Sequence, residues 1–279
     1  VPLSKPFPLN WHERLELFVP LTGEGQFRMG EQLIDFSPGD IIVVDNLKLH
    51  GLSRFDGESR YAVIVTFMPD LIGNPNACLC DYVLLSPFYC LREGTLPVLR
   101  YTDRLAAPAH QALEKLVNCW DYLADGPESQ AGCKAYLMEL LYHLARRYSR
   151  PDIVRSEYLE QKRLSDRLGQ LFTYLEEKYA EKVSVSTAAA LVAMSESQFM
   201  KFFRRATGTT FVTYLTRLRL NRAYRLLTET DTSVADVAYA VGFSDQSYFT
   251  KRFRETFGHT PREIRARVVG EGLSLGGGY

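Results

Sequence analysis

Two hydrophobic periods divide the chain. Between residues 11 and 67 apolar positions alternate or run in short blocks, as in WHERLELFV, IDFSPGDIIVVD and YAVIVTF. A period of two with β-branched residues predicts strands. Turn signals at Thr22-Gly23-Glu24-Gly25, Ser37-Pro38-Gly39 and Asp56-Gly57 separate them, and short strands at that spacing predict a barrel or a sandwich. Residues 70–100 are mixed, and Pro75, Pro87 and Pro97 argue against a long helix there.

From Asp103 the period becomes helical. Leu105, Leu113, Leu116, Val117 and Trp120 precede a break at Asp125-Gly126-Pro127, and Tyr136, Leu137, Leu140, Leu141 and Leu144 follow it. Together they predict an antiparallel helical hairpin over about 103–148. Apolar residues on both faces leave it two uses, packing against the strands or forming a dimer interface. A polar stretch, 149–165, is expected to link the halves. Helices are then predicted near 164–180, 187–193, 195–206, 210–229, 233–241, 244–257 and 261–267. The tail GEGLSLGGGY is expected to be disordered.

The helical half contains a duplication. Phe199, Lys201, Phe203, Arg204, Gly208 and Thr210 recur fifty residues later as Phe249, Lys251, Phe253, Arg254, Gly258 and Thr260. Each copy reads as a short helix, a tight turn and a second helix. Ala189 and Ala238 are small enough for close helix approach, and Ser195 and Ser244 are candidate caps. Gly242 suits a left-handed turn, whereas the first copy has Ala193 there, at a cost of about 1 kcal/mol if the backbone is left-handed. The copies also differ by one residue, SESQF against SDQSYF.

In the second helix of each copy the phenylalanines, four apart, face inward. Ser197, Lys201 and Arg204, like Ser247, Lys251 and Arg254, share the outward face. One such stripe is ordinarily a solvated surface; two matching ones suit the major groove, where small polar groups read base edges and Lys or Arg reaches guanine or phosphate. The segment 211–230 predicts a connecting helix of about 30 Å, close to the roughly 34 Å turn of B-DNA. Its Arg217, Arg219, Arg222 and Arg225 read mostly as surface charges.

Charge sharpens this picture. The 33 basic and 33 acidic residues cancel. They are unevenly placed: 15 basic against 19 acidic in 1–155, and 13 against 6 in 199–267. A polyanion partner is therefore expected for the C-terminal part only. No apolar run approaches the roughly 18 residues of a membrane span, and VPLSKPFPLN carries no signal-peptide core. Cys78, Cys80, Cys90, Cys119 and Cys133 are odd in number without a C-x-x-C pair, which fits a reducing cytoplasm.

The order A-x-x-x-G-F-S-D-x-S-Y-F-x-x-x-F-R-x-x-F-G-x-T-P-x-x-x-R, with its upstream duplicate, resembles the AraC/XylS family of bacterial transcription regulators, and the resemblance covers 166–267. It implies base-facing roles for Ser197, Met200 and Lys201 in one recognition helix and for Gln246, Ser247, Tyr248 and Lys251 in the other. Arg204 and Arg254 extend the two stripes. Thr260-Pro261-Arg262-Glu263 also reads as a cap, an N1 proline and a capping glutamate.

The same resemblance implies a cupin-like β-barrel at the N-terminus. His12, Glu16 and Gly23 follow the spacing of a first cupin motif, and Gly39, Asp45 and His50 that of a second. The metal-binding form begins H-x-H where this chain has Asn10-Trp11-His12, and Asp45 and Leu47 replace the second motif's usual Pro and Gly. Three uses are open for the group: a divalent metal held by His12, Glu16 and His50, a structural polar plug, or a small polar ligand. The ligand reading draws on His12, Arg14, Glu16 and Phe18 along one strand face, with His50. No cofactor is expected. The fold expected is thus α+β: a cupin-like barrel with a helical hairpin in 1–155, a double helix-turn-helix domain in 156–269 and a tail, 270–279. The expected protein is a cytoplasmic, dimeric, ligand-responsive activator that binds promoter DNA, responds to a small-molecule effector and acts on RNA polymerase. The alternative is a cupin metalloenzyme with an accessory DNA-binding module.

Overall fold

The structure, a computed structural model, describes residues 12, 14–45, 48–72, 81–91, 94–121, 126–148 and 155–266, with Arg155 and Gln161 by their backbone alone. The expected tail, the Asn10-Trp11 motif start and Cys78 with Cys80 lie outside the described residues. Two compact units emerge, one ending at Arg167 and one built from Leu168 onward.

In the first unit β1 (Leu15–Pro20), β4 (Ile41–Val44), β6 (Ala62–Phe67) and β7 (Val98–Leu99) form one sheet, in the order β6-β1-β4-β7. β2 (Glu24–Met29), β3 (Gln32–Phe36) and β5 (His50–Asp56) form another, in the order β3-β2-β5. Every recorded pairing is antiparallel. No ladder joins the two sheets among the described residues, so the expected closed barrel is absent. Side chains hold the sheets together instead: Phe18, Ile42, Val44 and Val98 from one meet Phe27, Met29, Ile34 and Phe36 from the other.

All six residues of β1 are buried, because both its faces are covered. Glu16 and Phe18 face the second sheet. Leu15, Leu17 and Val19 join a core with α1 (Asp81–Tyr89), α2 (Ala106–Asp121) and α3 (Pro127–Tyr148). The predicted hairpin is α2 with α3, and its Leu137, Leu140, Leu141 and Leu144 all lie within this core. α1 has nine residues, in keeping with the expectation of no long helix there, yet it runs through Pro87. Proline cannot donate to the carbonyl four residues back, and the Ser86 hydroxyl takes that role by donating to the Val83 carbonyl at 2.8 Å.

The polar stretch expected as a linker is helical from Arg155 and continues through α4 (Arg155–Lys178). The second unit then holds α5 (Val185–Leu191), α6 (Glu196–Thr207), α7 (Phe211–Glu229), α8 (Val234–Ala240), α9 (Gln246–Phe257) and α10 (261–266). These match the predicted series within one or two residues at most ends. The 19 residues of α7 give a helix of about 28 Å.

Candidate nucleic-acid interface and polar cluster

The α5–α6 and α8–α9 pairs are built alike. Ser184 caps α5 by accepting from the Thr187 N–H, and Ser233 caps α8 by accepting from the Asp236 N–H. α6 starts in a capping box: the Ser195 hydroxyl accepts from the Gln198 backbone N–H while the Gln198 side-chain Oε1 accepts from the Ser195 backbone N–H. α6 and α9 end alike on left-handed Gly208 and Gly258. Phe199 and Phe203 are fully buried against Phe211, and Phe172 and Tyr214 extend the ring cluster from Phe203. Phe249 and Phe253 are fully buried with Phe243, Tyr224 and Phe257 in the second copy.

Burying those rings fixes what turns outward. Ser197, Met200, Lys201 and Arg204 are exposed on α6, and Ser247, Tyr248, Lys251 and Arg254 on α9, with Gln246 partly covered. No ion pair among the described residues takes up Lys201, Arg204 or Lys251. Gln246, Ser247, Lys251 and Arg254 border one groove with Thr260 and Arg262. Other charges in this unit are engaged. Arg252 pairs with Glu255 at 2.6 Å and Arg222 with Glu176. Arg219 donates to the Tyr179 and Glu181 carbonyls at 2.7 and 2.8 Å. Arg219 therefore braces the turn after α4 and Arg222 the end of α4 itself, and neither is the open surface charge expected.

The second recognition helix departs from expectation at its cap. Asp245, not Ser244, caps α9, accepting from the Tyr248 N–H at 2.6 Å. Ser195 and Asp245 then stand fifty residues apart, as the buried phenylalanines do. The extra residue of the second copy thus belongs to the turn before the cap. In that turn Gly242 has φ +88° and Ala193 has φ +53°, so both copies use a left-handed residue and one of them is not glycine.

His12, Glu16 and His50 converge at one end of the sheets, their donor atoms all within 4.8 Å of one another. His12 Nε2 lies 3.0 Å from Glu16 Oε2 and 3.2 Å from His50 Nε2, and His50 Nε2 is 3.8 Å from Glu16 Oε2. Each ring's Nδ1 lies 2.8 Å from a backbone carbonyl, of Arg14 and of Lys48 respectively. A carbonyl only accepts, so both Nδ1 atoms carry hydrogen and both Nε2 atoms point into the cluster. Burial works against a charge on His12, but the hydrogen bond to Glu16 and its carboxylate charge prevail and hold that imidazole's pKa above its ordinary value. Deeper burial of His50 outweighs the Glu16 charge and pushes its pKa below the ordinary value.

Arg14 does not join them. β1 begins one residue after it, so strand alternation does not extend back to that position, and the side chain is exposed. Phe18 is 2% exposed and packs among Phe27, Phe36 and Phe55 rather than lining an open face.

A helix-turn-helix domain model matches residues 188–267. The HTH-type transcriptional activator RhaS of Enterobacter sp. (strain 638) is 37% identical over 93% of this chain and 87% of its own length. The RhaS of Salmonella arizonae is 33% identical over the same shares. The chain belongs to the AraC family of transcription regulators. The crystal structure of ToxT from Vibrio cholerae O395, 15% identical, covers 95% of this chain and 94% of its own with a TM-score of 0.52, a likeness of fold alone. In this AraC-family chain the groove beside α9 also includes Thr260 and Arg262, which the sequence marked only through the repeat and the cap. Among the described residues, no helix is long and apolar enough to cross a membrane.

Proposed function

We propose that this protein is a ligand-responsive transcription activator that reads promoter DNA with α6 and α9. The observation that carries the reading is the repeated outward stripe, Ser197-Lys201-Arg204 and Ser247-Lys251-Arg254, each held out by two buried phenylalanines. Met200 and Tyr248 add apolar contact to base edges, and Gln246 adds hydrogen-bond readout. Relatives named as transcriptional activators support activation, and RNA polymerase is the partner proposed for it. The first unit serves as the sensor, a cupin-like module without catalytic duty. Its polar cluster of His12, Glu16 and His50 takes the oxygens of a small hydroxylated or carboxylated effector; a sugar fits that chemistry. The protein works in the cytoplasm as a homodimer.

The test is the double variant Lys201→Ala/Lys251→Ala, assayed for promoter binding across a salt series. Each lost phosphate contact lowers the log–log salt slope by about one, and each lost base contact relaxes specificity by about 1–3 kcal/mol. Circular dichroism should stay unchanged, since both side chains are exposed. Wild-type affinity and sequence preference in the double variant would remove α6 and α9 from the interface.

A further inference from the structure

The geometry points to a divalent transition-metal site formed by His12, Glu16 and His50. Three donors of the right chemistry meet there: two imidazole nitrogens and a carboxylate oxygen, a set that suits zinc, iron(II), manganese, cobalt or nickel. Their separations of 3.0, 3.2 and 3.8 Å define a triangle. A point about 2.0 Å from all three exists within it, so an ion at the usual bond length of roughly 2.0–2.2 Å sits just off its plane. Three donors on one side of an ion leave its remaining positions to water or to an oxygen ligand.

The surroundings complete the argument. Both Nδ1–H groups donate to backbone carbonyls, which is the outer hydrogen bond that orients a metal-bound histidine and fixes its tautomer. With those protons placed, two Nε2 lone pairs face each other at 3.2 Å. Something positive must sit between them, either an ion or an extra proton on one ring. Phe27 stacks beside His50 and helps fix the plane of that ring. The donors also come from both layers: Glu16 lies on β1 of the four-stranded sheet and His50 opens β5 of the three-stranded one. No strand ladder joins those sheets among the described residues, so an ion here would tie them together and stabilise the first unit on binding.

The site deepens the proposed effector cluster, because open positions on the ion would receive effector hydroxyls or a carboxylate. It is tested without effector or DNA, however, so its failure would leave the sensor reading and the Lys201/Lys251 experiment standing. The full chain, dialysed against chelator, is titrated with Zn2+ and separately with Co2+. Uptake should saturate at about one equivalent per chain, raise the melting temperature and give a cobalt spectrum free of thiolate charge-transfer bands. His12→Ala and Glu16→Gln should each weaken uptake by more than the roughly 10–100-fold that loss of an outer hydrogen-bond partner costs. His12 is partly exposed, so its variant should fold even if Glu16→Gln does not. No stoichiometric uptake would mean that a proton bridges the cluster. Uptake unaltered in His12→Ala, or thiolate bands that vanish on cysteine alkylation, would place the ion elsewhere. Any of these three results overturns the site.

Discussion

Ala193 and Gly242 occupy the same turn position in the two copies, yet they are not under the same constraint. Both are left-handed, at φ +53° and +88°. A Cβ on Gly242 would also stand 2.5 Å from the Ala180 carbonyl oxygen, so glycine there answers a close backbone approach as well as a dihedral angle. A left-handed alanine costs about 1–2 kcal/mol, while adding a glycine returns about 0.4–1 kcal/mol of entropy to the unfolded chain. Ala193→Gly should therefore stabilise the protein by roughly 0.5–1 kcal/mol. Gly242→Ala should destabilise it by about 2 kcal/mol or more, since strain and clash add. Urea titrations of the two variants measure both, and equal effects of opposite sign would refute the assigned asymmetry. The left-handed turn was legible from the repeat, because Gly242 aligned with Ala193. The Ala180 contact was not, since nothing in a linear sequence shows which backbone will pass close by.

At the scale of elements, the recognition helices owe their outward faces to caps and buried rings together. Asp245 fixes the first turn of α9, and loss of such a cap costs about 1 kcal/mol. Asp245→Ala should lower stability by that amount and weaken promoter binding, whereas Ser244→Ala should change stability little. Asp245→Asn should keep the cap while removing a negative charge beside the DNA phosphates, so promoter affinity should hold or rise. Denaturation curves and promoter titrations of the three variants provide the check; a loss with Ser244→Ala equal to that with Asp245→Ala would return the cap to Ser244. Ser244 was the cap expected from the sequence; Asp245 beside it is an equally good cap former, and propensity alone does not choose between them. Helices with strong apolar periodicity, such as α3 and α7, were plain in advance. α1 and the start of α4 were not: the first depends on Ser86 answering the carbonyl that Pro87 leaves, and the second presents a polar face with few anchors such as Tyr158. The polar cluster shows the same limit. The spacing of His12, Glu16 and His50 was visible, but Arg14 was added by extending strand alternation back past the start of β1 at Leu15, and Phe18 by treating a filled core as open space.

The whole molecule pairs an acidic half with a basic one, and each carries a different part of the proposed activity. Reading paired half-sites requires two copies of the basic half, and a two-fold dimer supplies them. The sequence left the apolar residues of the hairpin two uses, packing against the strands or forming a dimer interface. Leu137, Leu140, Leu141 and Leu144 take the first: they are 0–3% exposed within their own core, where they cannot meet a partner. What the α2–α3 hairpin leaves outside is aromatic: Trp120 is 62% exposed and Tyr142 50%. Large exposed aromatics are disproportionately the residues that anchor interfaces. If the hairpin dimerises, Trp120→Ala should shift the full-length protein from dimer toward monomer in sedimentation at micromolar concentration, with an unchanged melting temperature at the monomer end. Binding to paired half-sites should fall with it, by the loss of bivalency, while binding to a single half-site stays the same. A wild-type protein that sediments as a monomer would remove the dimer altogether. A dimer untouched by Trp120→Ala and by Tyr142→Ala would move the interface off the hairpin and leave the DNA-reading assignment of α6 and α9 intact.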